Sequence, residues 1–124
     1  MSSTILVPTD LSPSSLPALE LAILLAPLID AQVTLLYVVD NRQLMPIPLP
    51  VDVDPDHIRH EMLKQAYEAL QTLADERRQG VVLTCHVRLG RPEDEILAEA
   101  EQISADMILM TTHGRSGLAH LVMG

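Results

Sequence analysis

The chain has no phenylalanine and no tryptophan, and its only aromatic side chains are Tyr37 and Tyr67. A domain of 124 residues buries roughly two-thirds of its extended-chain surface. That core must therefore be built from Leu, Ile, Val, Ala and Met. Basic residues are scarce, 8 against 17 acidic, for a net charge of −9. Nonspecific nucleic-acid binding needs basic patches, so this balance argues against it. It leaves room for a phosphate ligand, because backbone amides and a divalent metal can handle local charge. A single cysteine, Cys85, excludes an internal disulfide and fits a reducing, cytoplasmic compartment. It lies in an apolar strand pattern and reads as a small core residue. No apolar run is long enough to cross a bilayer: Leu16 to Ile29 is interrupted by Pro17, Glu20 and Pro27. The N-terminus lacks the basic, apolar and cleavage regions of a signal peptide. The expectation is one domain over residues 1–124, with neither a membrane nor a nucleic-acid partner.

What is present alternates between strand and helix patterns. Thr4 to Val7 and Val33 to Val39 are short continuous apolar runs, as in strands buried on both faces. Between them, Ser12 before Pro13 reads as a helix cap. Ala18, Leu21, Ala22 and Leu25 mark one helix face, and Pro27 near its end is expected to kink or terminate it. From Asp40 to Asp54, Pro46, Pro48 and Pro50 alternate with Met45, Ile47, Leu49 and Val51. Neither a helix nor a central strand holds that spacing, so an extended loop is expected, serving as a connector, a lid or a partner contact. Asp54 caps a helix from Pro55 whose stripe is Ile58, Met62, Ala66, Leu70 and Leu73. Val81 to Leu89 is β-rich. Gly90-Arg91-Pro92 opens a third helix with Glu93, Asp94 and Glu95 in its first turn and Ile96, Leu97, Ala100 and Ile103 toward the core. Asp106 to Thr111 is a fourth strand.

This order predicts a three-layer α/β/α fold around a parallel, doubly wound sheet of four strands. Ligands of such sheets bind outside the carboxyl ends of the strands, at the switch point in strand order. Pro8-Thr9-Asp10, Val38 to Asp40, Gly90 and Thr111 to Gly114 all fall at such ends and line one rim.

The segment from Met107 to Met110, then Thr111-Thr112-His113-Gly114-Arg115-Ser116-Gly117, reads as a buried strand, a tight turn and the start of an amphipathic helix. Unpaired amides and the helix dipole at such a turn favour a phosphate. Together with Ile5-Leu6-Val7-Pro8-Thr9-Asp10 and Val33-Thr34-Leu35-Leu36-Tyr37-Val38, these blocks resemble the universal stress protein family, in its order and over nearly the whole chain. The ATP-binding branch carries Gly, two residues, Gly, nine residues, Gly, then Ser or Thr. Gly114 and Gly124 have the required separation, Thr111 stands at the first glycine position, and the hydroxyl position would follow Gly124. The family's usual fifth strand and last helix also follow that glycine, so the expectation here is a C-terminally shortened form lacking both, with strand four an exposed edge or covered by another chain.

The resemblance implies an adenine-nucleotide site for ATP or AMP, with Mg2+ as a candidate companion. It implies Asp10 on the ribose or adenine side, Pro8, Thr9 and the Val38 backbone framing the base, and Met110 and Thr111 flanking the ribose. Gly114 and Gly124 would admit the phosphates, Arg115 would pair with one, and His113 would hydrogen-bond in the turn. Each has a plainer alternative: Asp10 as a turn or cap residue, Thr111 as a side chain that narrows the pocket, Arg115 as a solvated surface group.

No catalytic set stands out. There is no nucleophile elbow, no phosphate loop ending in Gly-Lys-Ser/Thr and no Cys-His pair. His57 and His60, three apart on a helix, lack further metal ligands. An aspartate-phosphorylated receiver is excluded, because the only strand-end carboxylates are Asp10 and Asp40 and the sole lysine, Lys64, is mid-helix. The expectation is a homodimeric stress-response protein that acts through conformation and an unknown protein partner. The alternatives are a nonbinding interaction module and a slow ATP hydrolase.

Overall fold

The computed structural model describes residues 3–43, 52–113 and 119–123, with the backbone alone at 43, 112–113 and 119–123. Strand β1 (Ser3–Thr9) leads through a 3-10 turn, Pro13–Ser15, into α1 (Leu16–Leu25). Then follow β2 (Ala31–Asp40), α2 (Pro55–Arg77), β3 (Leu83–Gly90), α3 (Pro92–Gln102), β4 (Met107–His113) and β5 (Ala119–Met123). The sheet order is β3-β2-β1-β4-β5. The first four strands are parallel, in register Ile5 to Val33, Ile5 to Met107 and Val33 to Leu83. The four-strand parallel sheet with three helices is the architecture expected from the sequence.

One segment departs from that expectation. Residues 119–123 form a strand, not a helix, and pair antiparallel with β4 from Leu109–Met123 to His113–Ala119. Five residues separate β4 from β5. A parallel return needs a crossover of a dozen or more residues, so a link this short permits only an antiparallel partner. Strand β4 is therefore covered on its outer side by this chain itself.

Side chains alternate across the sheet. Ile5, Val7, Val33, Leu35, Leu83, Cys85 and Leu109 form one face and pack with Ala18, Leu19, Ala22 and Ile23 of α1 and Leu70 and Ala74 of α2. Cys85 is buried there, as expected, with its thiol toward the Leu70 carbonyl at 3.8 Å. Burial pushes that thiol's pKa up. The opposite face carries Leu6 and Leu36, both fully buried, with Thr34, His86 and Arg88. It is met by α3, as right-handed crossovers require once the chain reverses direction after β3.

Local signals explain most boundaries. Asp54 accepts the Asp56 amide at 3.0 Å and starts α2 at Pro55. Ser12 does not cap α1: it precedes the 3-10 turn, its hydroxyl goes to Asp10, and α1 begins at Leu16. Helix α3 presents a different face from the one its apolar residues suggest. Leu97 is 65% exposed while Glu99 is 3% exposed. The reason lies opposite, where His86 and Arg88 of β3 offer that face a polar partner, not an apolar one. The alternating proline segment falls mainly on 44–51, outside the described residues.

Candidate functional site

Strand β1 contains Pro8, which has no N–H to give to a ladder. The pairing of β1 with β4 ends at Leu6–Ile108, just before it. This boundary is also where strand order reverses, since β2 and β3 lie on one side of β1 and β4 on the other. A cleft of about 220 Å³ opens there. Its lining is Pro8, Thr9 and Asp10 from the end of β1, Leu36 and Val38 from β2, Met110 and Thr111 from β4, Ser15, and Pro92 and Ile96 from the start of α3. Six of the sequence-selected residues, Pro8, Thr9, Asp10, Val38, Met110 and Thr111, thus share one cavity. His113 ends β4, one turn of the pleat beyond. Gly114, Arg115 and Gly124 lie outside the described residues. Leu36, Pro92 and Ile96 were not anticipated; the position of Pro92 and Ile96 one helical turn apart at the carboxyl end of β3 was the available signal.

The polar rim of the cleft is a connected set of hydroxyls. Thr9 Oγ1 lies 2.6 Å from Ser15 Oγ and accepts the Leu11 amide at 3.0 Å. Ser15 Oγ donates to the Ser12 carbonyl at 2.8 Å. Asp10 Oδ1 accepts the Ser12 amide at 2.9 Å and the Ser12 hydroxyl, an aspartate turn that fixes the carboxylate at the mouth. Partial burial alone would raise the Asp10 pKa, but the Ser12 hydroxyl and amide outweigh it and hold the carboxyl below its ordinary value. Asp10 is thus a fixed anion near neutral pH. A carboxylate can accept about four hydrogen bonds, so it keeps capacity beyond the two from Ser12.

Thr111 has a definite structural task. Its Oγ1 accepts the backbone amide of Ala18, 93 positions earlier in sequence, at 3.2 Å. That amide is in the first turn of α1, where no intrahelical partner exists. The hydroxyl therefore caps α1 from across the sheet while the side chain walls the cleft. Thr111→Val keeps the shape and removes the acceptor. It is expected to destabilise the fold by about 1 kcal/mol in urea denaturation, with Thr111→Ser close to wild type.

Behind the cleft, α3 is tied to β3 by charge. His86 Nδ1 donates to Glu99 Oε2 at 2.5 Å, and Arg88 Nε donates to Glu99 Oε1 at 2.7 Å. Burial alone would raise the Glu99 pKa, but the bonds from His86 and Arg88 and their charges hold it below the usual glutamate range. The unfolded chain therefore takes up a proton at Glu99 before the folded one does. The stability from this carboxylate is present above the ordinary glutamate value of 4.5 and is lost as pH falls from there through the lower folded value. Glu99→Gln is expected to be less stable than wild type at pH 7, and the gap is expected to close below about pH 4 in denaturation series at both pH values.

Among the described residues no group of three His, Cys, Asp or Glu side chains is placed to hold a metal. None of the described helices is long and apolar enough to cross a membrane. Larger grooves lie between α1 and α2, about 590 Å³, and along the outer edge of β3, about 870 Å³, but neither gathers carboxyl strand ends at the switch point.

Comparison with known proteins agrees with this architecture. The sequence profile described as the universal stress protein family matches residues 1–124. Universal stress protein MJ0531 of Methanocaldococcus jannaschii is 34% identical over 121 residues, covering 97% of this chain and 70% of that protein. The solved structure of hypothetical protein MJ0577 is similar with a TM-score of 0.76 at 27% identity, over 95% of this chain and 80% of that one. A universal stress protein family protein from Arabidopsis thaliana, solved with AMP bound, shares the fold with a TM-score of 0.53 at 19% identity, over 86% of this chain and 73% of that one. The four-strand parallel sheet, the order of its helices and the match along the full sequence lead to one conclusion: the chain belongs to the universal stress protein family.

Proposed function

We propose that this chain binds an adenine nucleotide, ATP or AMP, in the cleft where β1 and β4 part, and that the nucleotide biases its conformation toward a partner. The observation that carries this reading is the meeting of Pro8 to Asp10, Val38, Met110 and Thr111 on one cavity at the switch point. Leu36, Val38, Ile96 and Met110 give it apolar walls for a base. Asp10 gives it an ionised acceptor for ribose hydroxyls. The volume is below the roughly 300–1,000 Å³ of clefts that enclose a drug-sized ligand. It suits the nucleoside part and leaves the phosphates to the residues that follow His113, where Gly114, Arg115 and Gly124 are assigned by resemblance alone. AMP in the Arabidopsis thaliana relative supports the ligand class. Asp10 is the one carboxylate among the described residues lining the cleft, so a Mg2+ accompanying the triphosphate would take most of its ligands from phosphates and water. The working form is a cytoplasmic homodimer that holds the nucleotide without rapid turnover.

Calorimetric titration with Mg-ATP and with AMP tests this. Micromolar binding of either, with one site per chain, is the expected result. No heat with either ligand overturns it and favours an interaction module that binds no nucleotide, a reading that the engagement of Thr111 with α1 supports.

A further inference from the structure

Helix α3 is the least apolar in its attachment. Helix α1 buries Ala18, Leu19, Ala22 and Ile23, and α2 buries Ala66, Leu70 and Ala74, whereas the one fully buried side chain of α3 is Glu99. The centre of its polar attachment is Arg88. Its guanidinium reaches three side chains on one face of the helix: Glu95 Oε1 at 3.1 Å, Glu99 Oε1 at 2.7 Å and Gln102 Oε1 at 2.5 Å. The spacing i, i+4, i+7 puts these acceptors in one row. Arginine makes the three contacts from three separate nitrogens of a planar fork, Nε, Nη1 and Nη2, a span that the single nitrogen of lysine lacks. His86 holds the other oxygen of Glu99. The N-terminal half of the same helix supplies Pro92 and Ile96 to the cleft.

We infer that Arg88 is a positioning residue for the cleft: by gripping one face of α3 it sets the seat of that helix on the sheet, and with it the wall that Pro92 and Ile96 present to the ligand. A wall held by apolar packing can settle into neighbouring seats at little cost, because such contacts are non-directional. Directed, charge-assisted bonds select one seat. The effect on ligand affinity rests on the nucleotide reading given above; the seating of α3 does not.

The test uses the full chain with its isoleucine methyl groups labelled. In Arg88→Gln the Ile96 methyl resonance is expected to move, while Ile5 and Ile23 on the opposite face of the sheet stay in place. Amides of α3 are expected to exchange at least tenfold faster, those of α1 and α2 at their wild-type rate, and AMP affinity is expected to fall about tenfold. Arg88→Lys is expected to resemble Arg88→Gln. An unmoved Ile96 resonance with unchanged α3 exchange overturns the inference, whatever nucleotide does. Movement of Ile5 and Ile23 together with Ile96 also overturns it, since Arg88 would then support the fold at large. A displaced Ile96 with undiminished AMP affinity contradicts the role at the cleft. If wild type binds no nucleotide, the nucleotide reading fails, and the Ile96 resonance and α3 exchange still decide the seating of the helix.

Discussion

Asp10→Ala is expected to lower affinity for AMP and Mg-ATP by about tenfold to a hundredfold, the loss of one or two hydrogen bonds to an ionised group at roughly 1.5–3 kcal/mol. The same change is expected to move the melting temperature little. Asp10 is exposed, and its bonds to Ser12 organise a surface turn, not the core. Asp10→Asn separates the two contributions, since the amide oxygen can still accept the Ser12 amide while the charge is gone. Loss of affinity in Asn as in Ala, with both variants melting near wild type, assigns the effect to the carboxylate's contact with ligand. Titration calorimetry and thermal melts of the three proteins measure it. Equal affinity in all three would remove Asp10 from the site.

Leu36→Ala carries the largest expected cost in stability. Leu36 is fully buried on β2, on the sheet face that meets α3, and it also floors the cleft. Truncation removes apolar contact and leaves a cavity between two layers that relax only partly, at about 2–5 kcal/mol. For a domain of this size the melting temperature should fall by roughly 10 °C or more. Leu97→Ala provides the contrast. Leu97 is 65% exposed on the outer side of α3, so its truncation should stay within about 0.5 kcal/mol of wild type. Composition alone would rank two leucines alike; their burial separates them.

The same pair shows how far the sequence could be read. Continuous apolar runs identified β1, β2 and β4, because strands covered on both faces carry no polar alternation. Asp54 and Pro55 identified the start of α2 through their own chemistry. The rim residues Pro8 to Asp10, Val38, Met110 and Thr111 could be grouped because parallel strands put all their carboxyl ends on one edge. Three features escaped because they depend on partners far along the chain. The role of Thr111 is set by an amide 93 residues earlier. The inward face of α3 is set by His86 and Arg88, and matching that pair to Glu95, Glu99 and Gln102 would have predicted the burial of Glu99 and the exposure of Leu97. The strand at Ala119–Met123 looked amphipathic in a helical sense, and only the short return from His113 decides for antiparallel pairing. The rim was therefore legible at its strand ends and illegible where a helix supplies the opposite wall.

The central claim is that the cavity at the β1–β4 parting receives an adenine nucleotide. The most direct measurement is a methyl and backbone NMR titration of the full chain with AMP. The account predicts saturable shifts at Asp10, Val38, Ile96, Met110 and Thr111, with Ile23 and Leu24 in the groove between α1 and α2 unmoved. Shifts confined to that other groove, or no shifts at millimolar AMP, would contradict it.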